Sequence, residues 1–230
     1  MLKLPRADEI ANAKDMLDIM KEAASTTAVT TTSPTNGLTI DDRCIEVWDS
    51  FRQNQNSLDV TISDKDGNEK CRANSAFLAS ASPVLKAMLL GEFAEGAAKT
   101  ISVDEALAPG TLDLFLELLY CGSACDNPNR TYKSFLDALS LSHRWEVPYV
   151  CDICRRHLST IVKIENVEAI AEAGTRFGFK DMEEAAIKFT RHDSEMKDKM
   201  KEGKLGPALT RLMFPDEHAE QPKKKRRCIR

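Results

Sequence analysis

The 230-residue chain predicts an α+β fold: a helical cluster flanked by a short β-sheet, followed by a short helical extension. Three observations carry that expectation. Leu58, Val60 and Ile62 alternate with Asp59, Thr61 and Ser63, and Asp66-Gly67 follows where a tight turn needs tolerance of positive φ, so a strand and a return strand through Cys71 and Ala73 are expected. Apolar stripes at helical spacing fill most of the remaining chain. One of them, Leu112, Phe115, Leu116 and Leu119, is widened by Leu114 and Leu118 toward all-round burial, which marks a central helix.

Each element can be justified in order. Ile10, Ala13, Leu17 and Met20 give residues 1–24 a narrow amphipathic helix, suited to docking weakly on the body or to a partner helix. Residues 25–37 are rich in Thr and Ser and contain Pro34, the composition of a flexible linker. The compact region is expected over 38–163. It opens with a short helix carrying Ile45, Trp48 and Phe51, and the hairpin follows. Two sheet strands alone are too few to be stable, so helices must cover their apolar face. The first runs over Asn74 to Ala81, and Ser82-Pro83 opens the second, because Ser suits the N-cap and Pro the first helical position. A third strand is expected at Thr100 to Val103, and the central helix after Pro109.

After the polar loop Ser123 to Arg130 comes a helix with Phe135, Leu136 and Leu139, and Pro148 starts another with Val150, Cys154, Leu158 and Ile161. Residues 164–203 form the extension. One helix carries Val167, Ile170, Ala171, Gly174 and Phe177, Gly178 breaks it, and the next carries Met182, Ala185, Ala186 and Phe189, with Asp181 and Glu184 spaced as a capping box. Beyond Arg191 charge dominates, so 204–230 is expected to be a disordered tail.

Composition narrows the function. With 42% hydrophobic and 30% charged residues the chain has the balance of a soluble globular protein, and no apolar run reaches the ~18 residues of a membrane span. The net charge of −4 hides an asymmetry: setting aside Lys223, Lys224, Lys225, Arg226, Arg227 and Arg230 leaves 26 basic residues against 36 acidic ones. An acidic body argues against a nucleic-acid binder. The cluster Lys223, Lys224, Lys225, Arg226 and Arg227 after Pro222 has the form of a single-cluster nuclear localisation signal read by an import receptor, so the nucleus is the expected compartment, with the cytoplasm second. Seven cysteines without a secretion signal read as reduced thiols. Cys151, Cys154 and His157 lack a fourth ligand in the helix for zinc, and no nucleophile motif or phosphate loop occurs, so no metal, no cofactor and no catalytic residue is expected.

Several motifs then agree in order and spacing. Leu58-Asp59-Val60, the run Phe77-Leu78-Ala79-Ser80-Ala81-Ser82-Pro83-Val84-Leu85-Lys86-Ala87-Met88, the helix end Leu119-Tyr120-Cys121-Gly122, and Trp145 to Val150 with Cys154 and His157-Leu158 together resemble the BTB/POZ family over about half of the chain. Most members carry histidine where this chain has Asn74, which still suits a helix cap. The helices over Val167 to Phe189 resemble the start of a BACK-type extension.

The resemblance implies a two-fold homodimer through the opening strand and first two helices, with Leu58, Asp59, Phe77, Leu78, Val84, Lys86 and Met88 at the interface. A permanent interface of that kind buries on the order of 2,000 Å². Asp59 would meet a partner cation, with Lys86 the nearest candidate, or simply stand in water at the strand end. Phe93-Ala94-Glu95 is similar to the hydrophobic-x-Glu motif by which BTB adaptors hold a cullin scaffold; its alternative is a loop Phe folded onto its own domain. The implied function is a substrate adaptor for a cullin-based ubiquitin ligase, recruiting a substrate protein that the sequence does not identify. A nuclear dimerisation scaffold, or a transcription-associated regulator that binds no cullin, is the alternative.

Overall fold

The computed structural model describes residues 42–215 apart from 92–93, 104–105, 125–126 and 128–129, and omits the side chains of 42–44 and 94. The expected helix of 1–24, the linker 25–37, Phe93 and the basic cluster lie outside the described residues. Helix α1 (Asp42–Gln53) leads through a short 3-10 turn into strand β1 (Val60–Asp64) and strand β2 (Glu69–Ala73). Helices α2 (Ser75–Ala81), α3 (Pro83–Leu90) and α4 (Ala94–Ala98) precede strand β3 (Thr100–Val103). The sheet order is β2-β1-β3, with β1 antiparallel to β2 and parallel to β3. Gly67, at φ 81, closes the hairpin as its turn requires. Asp64 braces that turn: its carboxylate takes hydrogen bonds from the backbone of Asp66 and Asn68 and pairs with Lys70 at 2.8 Å. The contact with Lys70, helped by Asn68, holds its pKa well below the usual carboxylate range.

Helix α5 (Thr111–Cys121) is the axis of the fold. Every residue in it except Asp113 is buried, as its all-round apolar sequence predicts. Around it stand α1, the sheet, and the pair α6 (Tyr132–Arg144) and α7 (Pro148–Thr160). Val60, Ile62, Leu78, Leu85, Ile101, Phe115, Leu139 and Leu158 share one core with it. Ser82 binds the halves together. Its hydroxyl accepts from the Leu85 amide at 2.9 Å, capping α3, and donates to the carbonyl of Trp145 at the α6–α7 junction.

The extension is continuous with this body. Ile170 and Ala173 on α8 (Val167–Phe177) and Met182 on α9 (Lys180–His192) belong to the same core as Leu139 and Cys154. Gly178 ends α8 in the left-handed conformation. The expected capping box at Asp181 and Glu184 does not form. Helix α9 begins at Lys180 with Phe179 as its N-cap, so Asp181 lies inside the helix and instead reaches Arg155 of α7 at 2.9 Å.

Helix α10 (Ser194–Lys201) completes the expected extension, but the tail expected from residue 204 needs correction, because helix α11 (Pro207–Met213) lies within it. The charge of this segment lies on its outer side, while Met196, Ala208 and Leu209 pack against Val167, Ala171 and Ala186 in a second apolar cluster. The carboxylate of Glu168 caps α11, accepting from the amides of Ala208 at 2.7 Å and Leu209 at 3.4 Å. Gly206 makes this possible: a Cβ there would fall 2.2 Å from the Glu168 carboxyl carbon. Glu168→Ala is therefore expected to cost about 1 kcal/mol. It should also speed amide hydrogen exchange across 207–213 more than elsewhere. Unchanged exchange there would show that α11 is held without the cap.

Candidate functional site

The face singled out by sequence is built from the segment that opens β1 and from α2 and α3, and an aromatic cluster that joins it to α1 sets its geometry. Phe77 stacks on Tyr120 of α5 with centroids 4.0 Å apart and planes within 7°, while Trp48 of α1 meets Phe77 at 5.5 Å and Phe51 meets Tyr120 at 6.3 Å. Helix α1 is thus pinned to both α2 and α5 by ring contacts. Arg52 adds ion pairs to Asp49 at 2.8 Å and to Asp113 of α5 at 3.0 Å. The Tyr120 hydroxyl accepts from the Asn74 amide at 3.0 Å, and burial pushes its pKa up to about 12.

Asn74 occupies the junction between β2 and α2. Its side-chain oxygen accepts from the Phe77 amide at 2.9 Å, and its side-chain nitrogen donates to the Ser57 carbonyl at 2.7 Å. The residue is the N-cap of α2, as its side chain allowed. Asp59 works beside it. One carboxylate oxygen accepts from the Ser75 amide at 2.7 Å, the other from the Ser75 hydroxyl at 2.6 Å, and Lys99 stands 3.7 Å away. The acidic group thus anchors the start of α2 within its own chain, a role the sequence reading did not assign.

Burial separates the seven expected interface residues. Leu58 and Leu78 lie inside the chain's own core, Leu78 at 0% exposure, so Leu78 has no area to give a second copy and Leu58 almost none. Their apolar character comes from covering the sheet and α5. Phe77, Val84 and Met88 are half-buried, and Asp59 and Lys86 are exposed. Two residues that the sequence reading passed over are more open: Val47 on α1 at 55% and Leu90 at the end of α3 at 59%. Neither interrupts its helical stripe, which is why spacing alone did not distinguish them.

The expected hydrophobic-x-Glu motif, Phe93-Ala94-Glu95, falls partly outside the described residues. Glu95 sits half-exposed in the first turn of α4. Its position depends on Gly96, another residue not singled out by sequence. A Cβ on Gly96 would lie 2.9 Å from the Leu89 carbonyl oxygen and 3.1 Å from those of Met88 and Gly91, so only glycine lets α4 rest on the end of α3.

The titratable groups have the character of packing residues. Burial pushes the thiols of Cys71 and Cys154 up to about 12 and raises that of Cys151, so these sulfurs are held as thiols rather than nucleophilic thiolates. His157 lies against the Phe135 ring at 4.1 Å, and burial lowers its pKa. Among the described residues no three His, Cys, Asp or Glu side chains are grouped to hold a metal ion, and no helix is long and apolar enough to cross a membrane.

With this geometry in view, the chain is similar to known proteins over the same region. A family model described as BTB/POZ domain matches residues 48–162. A BTB/POZ domain-containing protein of Arabidopsis thaliana is 29% identical over 107 residues, covering 46% of this chain. The match spans 42% of that relative's own length.

Asn74→Ala removes a cap and leaves the Ser57 carbonyl without its donor, so a loss of roughly 1–3 kcal/mol is expected in denaturant unfolding. Asn74→Ser, which keeps a capping oxygen but not the second bond, should fall between that variant and the wild type. Equal stability of all three would remove Asn74 from the account of this junction.

Proposed function

The chain belongs to the BTB/POZ family, a family of protein-interaction domains, and from that premise we propose that it acts as a non-catalytic homodimeric adaptor linking a substrate protein to a cullin scaffold in the nucleus. The observation that carries self-association is the exposure of Leu90 on α3, which also bears the half-buried Val84 and Met88, and of Val47 on α1, which packs through Trp48 against the half-buried Phe77 of α2. Apolar side chains of this size gain about 25 cal/mol per Å² when covered, and a second copy supplies the same surface by symmetry. The interface is therefore assigned to the outer sides of α1, α2 and α3, with Asp59 and Lys86 at its polar rim rather than as a buried pair.

Support for the cullin contact comes from the motif Phe93-Ala94-Glu95 and from the seat that Gly96 provides for Glu95. An apolar anchor beside an acid fits a groove on a helical scaffold, the anchor giving burial and the acid orientation. Substrate binding falls to residues 1–24 or to the helical extension, where Ile164 and Phe214 are exposed. The basic cluster Lys223 to Arg227 supports recognition by an import receptor.

Val47→Glu should convert the dimer to a folded monomer in sedimentation at micromolar concentration, since a residue this exposed can change without disturbing the core. A wild-type chain that is already monomeric at high micromolar levels would sink the symmetric reading. Purified wild-type chain should retain a cullin N-terminal domain in a pull-down, and Phe93→Ala combined with Glu95→Ala should abolish retention while the dimer persists. Absence of retention by the wild type would leave the nuclear dimerisation scaffold in place of the adaptor.

A further inference from the structure

Residues 204–214 contain the cations Lys204 and Arg211 and no acid, and Leu205, Ala208, Leu209 and Leu212 give them an apolar side. Their helix, α11 (Pro207–Met213), is seven residues long. Isolated helices shorter than about 12–15 residues do not persist in water, so α11 owes its form to the surface beneath it. That surface is a groove between α8, α9 and α10, floored by Val167, Ala171, Ala186 and Met196. The two alanines let a helix backbone approach closely, and Ala208 and Leu209 fill the space above them.

The groove also supplies what α11 lacks. Its N-cap, Gly206, has no side chain, and the Glu168 carboxylate of α8 accepts from the amides of Ala208 and Leu209 in its place. Glu172, one turn further along the same side of α8, is exposed and adds a second negative charge beside a helix whose one charged residue, Arg211, is positive. Little else fastens the helix. Ala208 and Leu209 are its only buried residues, and they stand apart from the main core that holds α8 and α9. The connection from α10 contains Gly203, in the left-handed conformation, and Gly206. Ordering a whole helix in return for two buried side chains leaves a small net gain, which puts α11 among the elements that open first.

We propose that α11 is an internal occupant of a docking groove, displaced when a partner protein presents a short basic amphipathic helix of the same pattern. The partner helix carries a small residue before its first turn, apolar residues at the spacing of Ala208, Leu209 and Leu212, and positive charge toward Glu168 and Glu172. Residues 1–24 do not meet this description, because Asp8 and Glu9 in their expected first turn would stand against Glu168. The inference rests on the reading that the extension receives the substrate protein, and names the chemistry of the segment received. It uses no residue of the proposed dimer face or of the hydrophobic-x-Glu motif.

The probe is a fluorescein-labelled, C-terminally amidated peptide of residues 204–214, titrated by anisotropy into the full chain. Two variants alter α11 and leave the groove intact: Leu209→Asp, and Leu209→Ala combined with Leu212→Ala. Each should bind the peptide about tenfold more tightly than the wild type, whose groove is occupied from within. Amide hydrogen exchange over 207–213 should be fast in both variants. Adding Glu168→Ala to either should weaken the peptide about fivefold, the effect of one lost cap, and a peptide carrying Arg211→Glu should bind more weakly than the native one. The proposal is overturned by equal affinity in wild type and variants, by absence of binding to the variants, by exchange that stays slow over 207–213 in both, or by tighter binding of the Arg211→Glu peptide. Binding that appears in the variants only after Leu17→Asp would make residues 1–24 the occupant. Wild-type chain that displaces the probe from a variant as well as unlabelled peptide does would make a second copy the occupant. Either result overturns the partner helix. The titration reads the groove alone, so its failure leaves the dimer and cullin measurements as they stand, and their failure leaves the titration as it stands.

Discussion

The burial of α5 on all sides is the constraint on which the rest of the molecule depends. A helix in which every residue but Asp113 is buried cannot leave its other polar side chains to water, so these call for partners on the elements packed against it. Glu117 is met by Arg130 from the loop before α6, and Arg130 also reaches Asp113. The Tyr120 hydroxyl is met by the amide of Asn74, which fixes where α2 begins. The carbonyl of Leu119 accepts from the Tyr149 hydroxyl at the start of α7. These contacts place the hairpin, the first helix pair and the α6–α7 pair relative to one axis, and Thr111 is the position where the same demand goes unmet.

This explains which parts of the fold were legible from sequence. The β1–β2 hairpin, strand β3 at Thr100–Val103, the Ser82-Pro83 helix start and the Gly178 stop each rest on a local rule, and each element lies where that rule puts it. The α5 stripe was legible for the same reason, since six large apolar residues in eight positions leave no polar face. What local rules missed were relations between distant segments. Glu168 and Gly206 are 38 positions apart, and neither alone signals that a charged segment will end in a docked helix. Asp181 with Glu184 satisfied the local spacing of a capping box, but a guanidinium on a neighbouring helix claimed the carboxylate.

The proposed interaction face shows the same division. Helical spacing identified Phe77, Leu78, Val84 and Met88 as apolar, but spacing cannot say whether such a residue faces its own core or a partner. Leu78 and Leu58 serve the core, while Val47 and Leu90 stand exposed beside Trp48 and Leu89, which take the inward positions. Asp59, expected either to meet a partner's cation or to stand in water, has both oxygens committed to Ser75. An exposed carboxylate already hydrogen-bonded in this way gains less from a second ion pair, because exposed pairs contribute only ~0–1 kcal/mol and are screened by salt. Affinity at such a face must come mainly from covered aliphatic and aromatic area.

The extension bears on how that face would be used. Because Ile170, Ala173 and Met182 share the core of α5 to α7, and Arg155 bridges to Asp181 while lying over the Phe179 ring, α8 and α9 are seated on the first domain rather than tethered to it. A partner bound on the extension is then held at a fixed orientation to anything bound near α4, without the entropy loss of ordering a linker. For an adaptor whose parts act only by holding two proteins at a set distance, that rigidity supplies the positioning that a catalytic residue supplies in an enzyme. The seating of α11 by Glu168 prolongs the same body to Met213, further along the sequence than its charge pattern suggested.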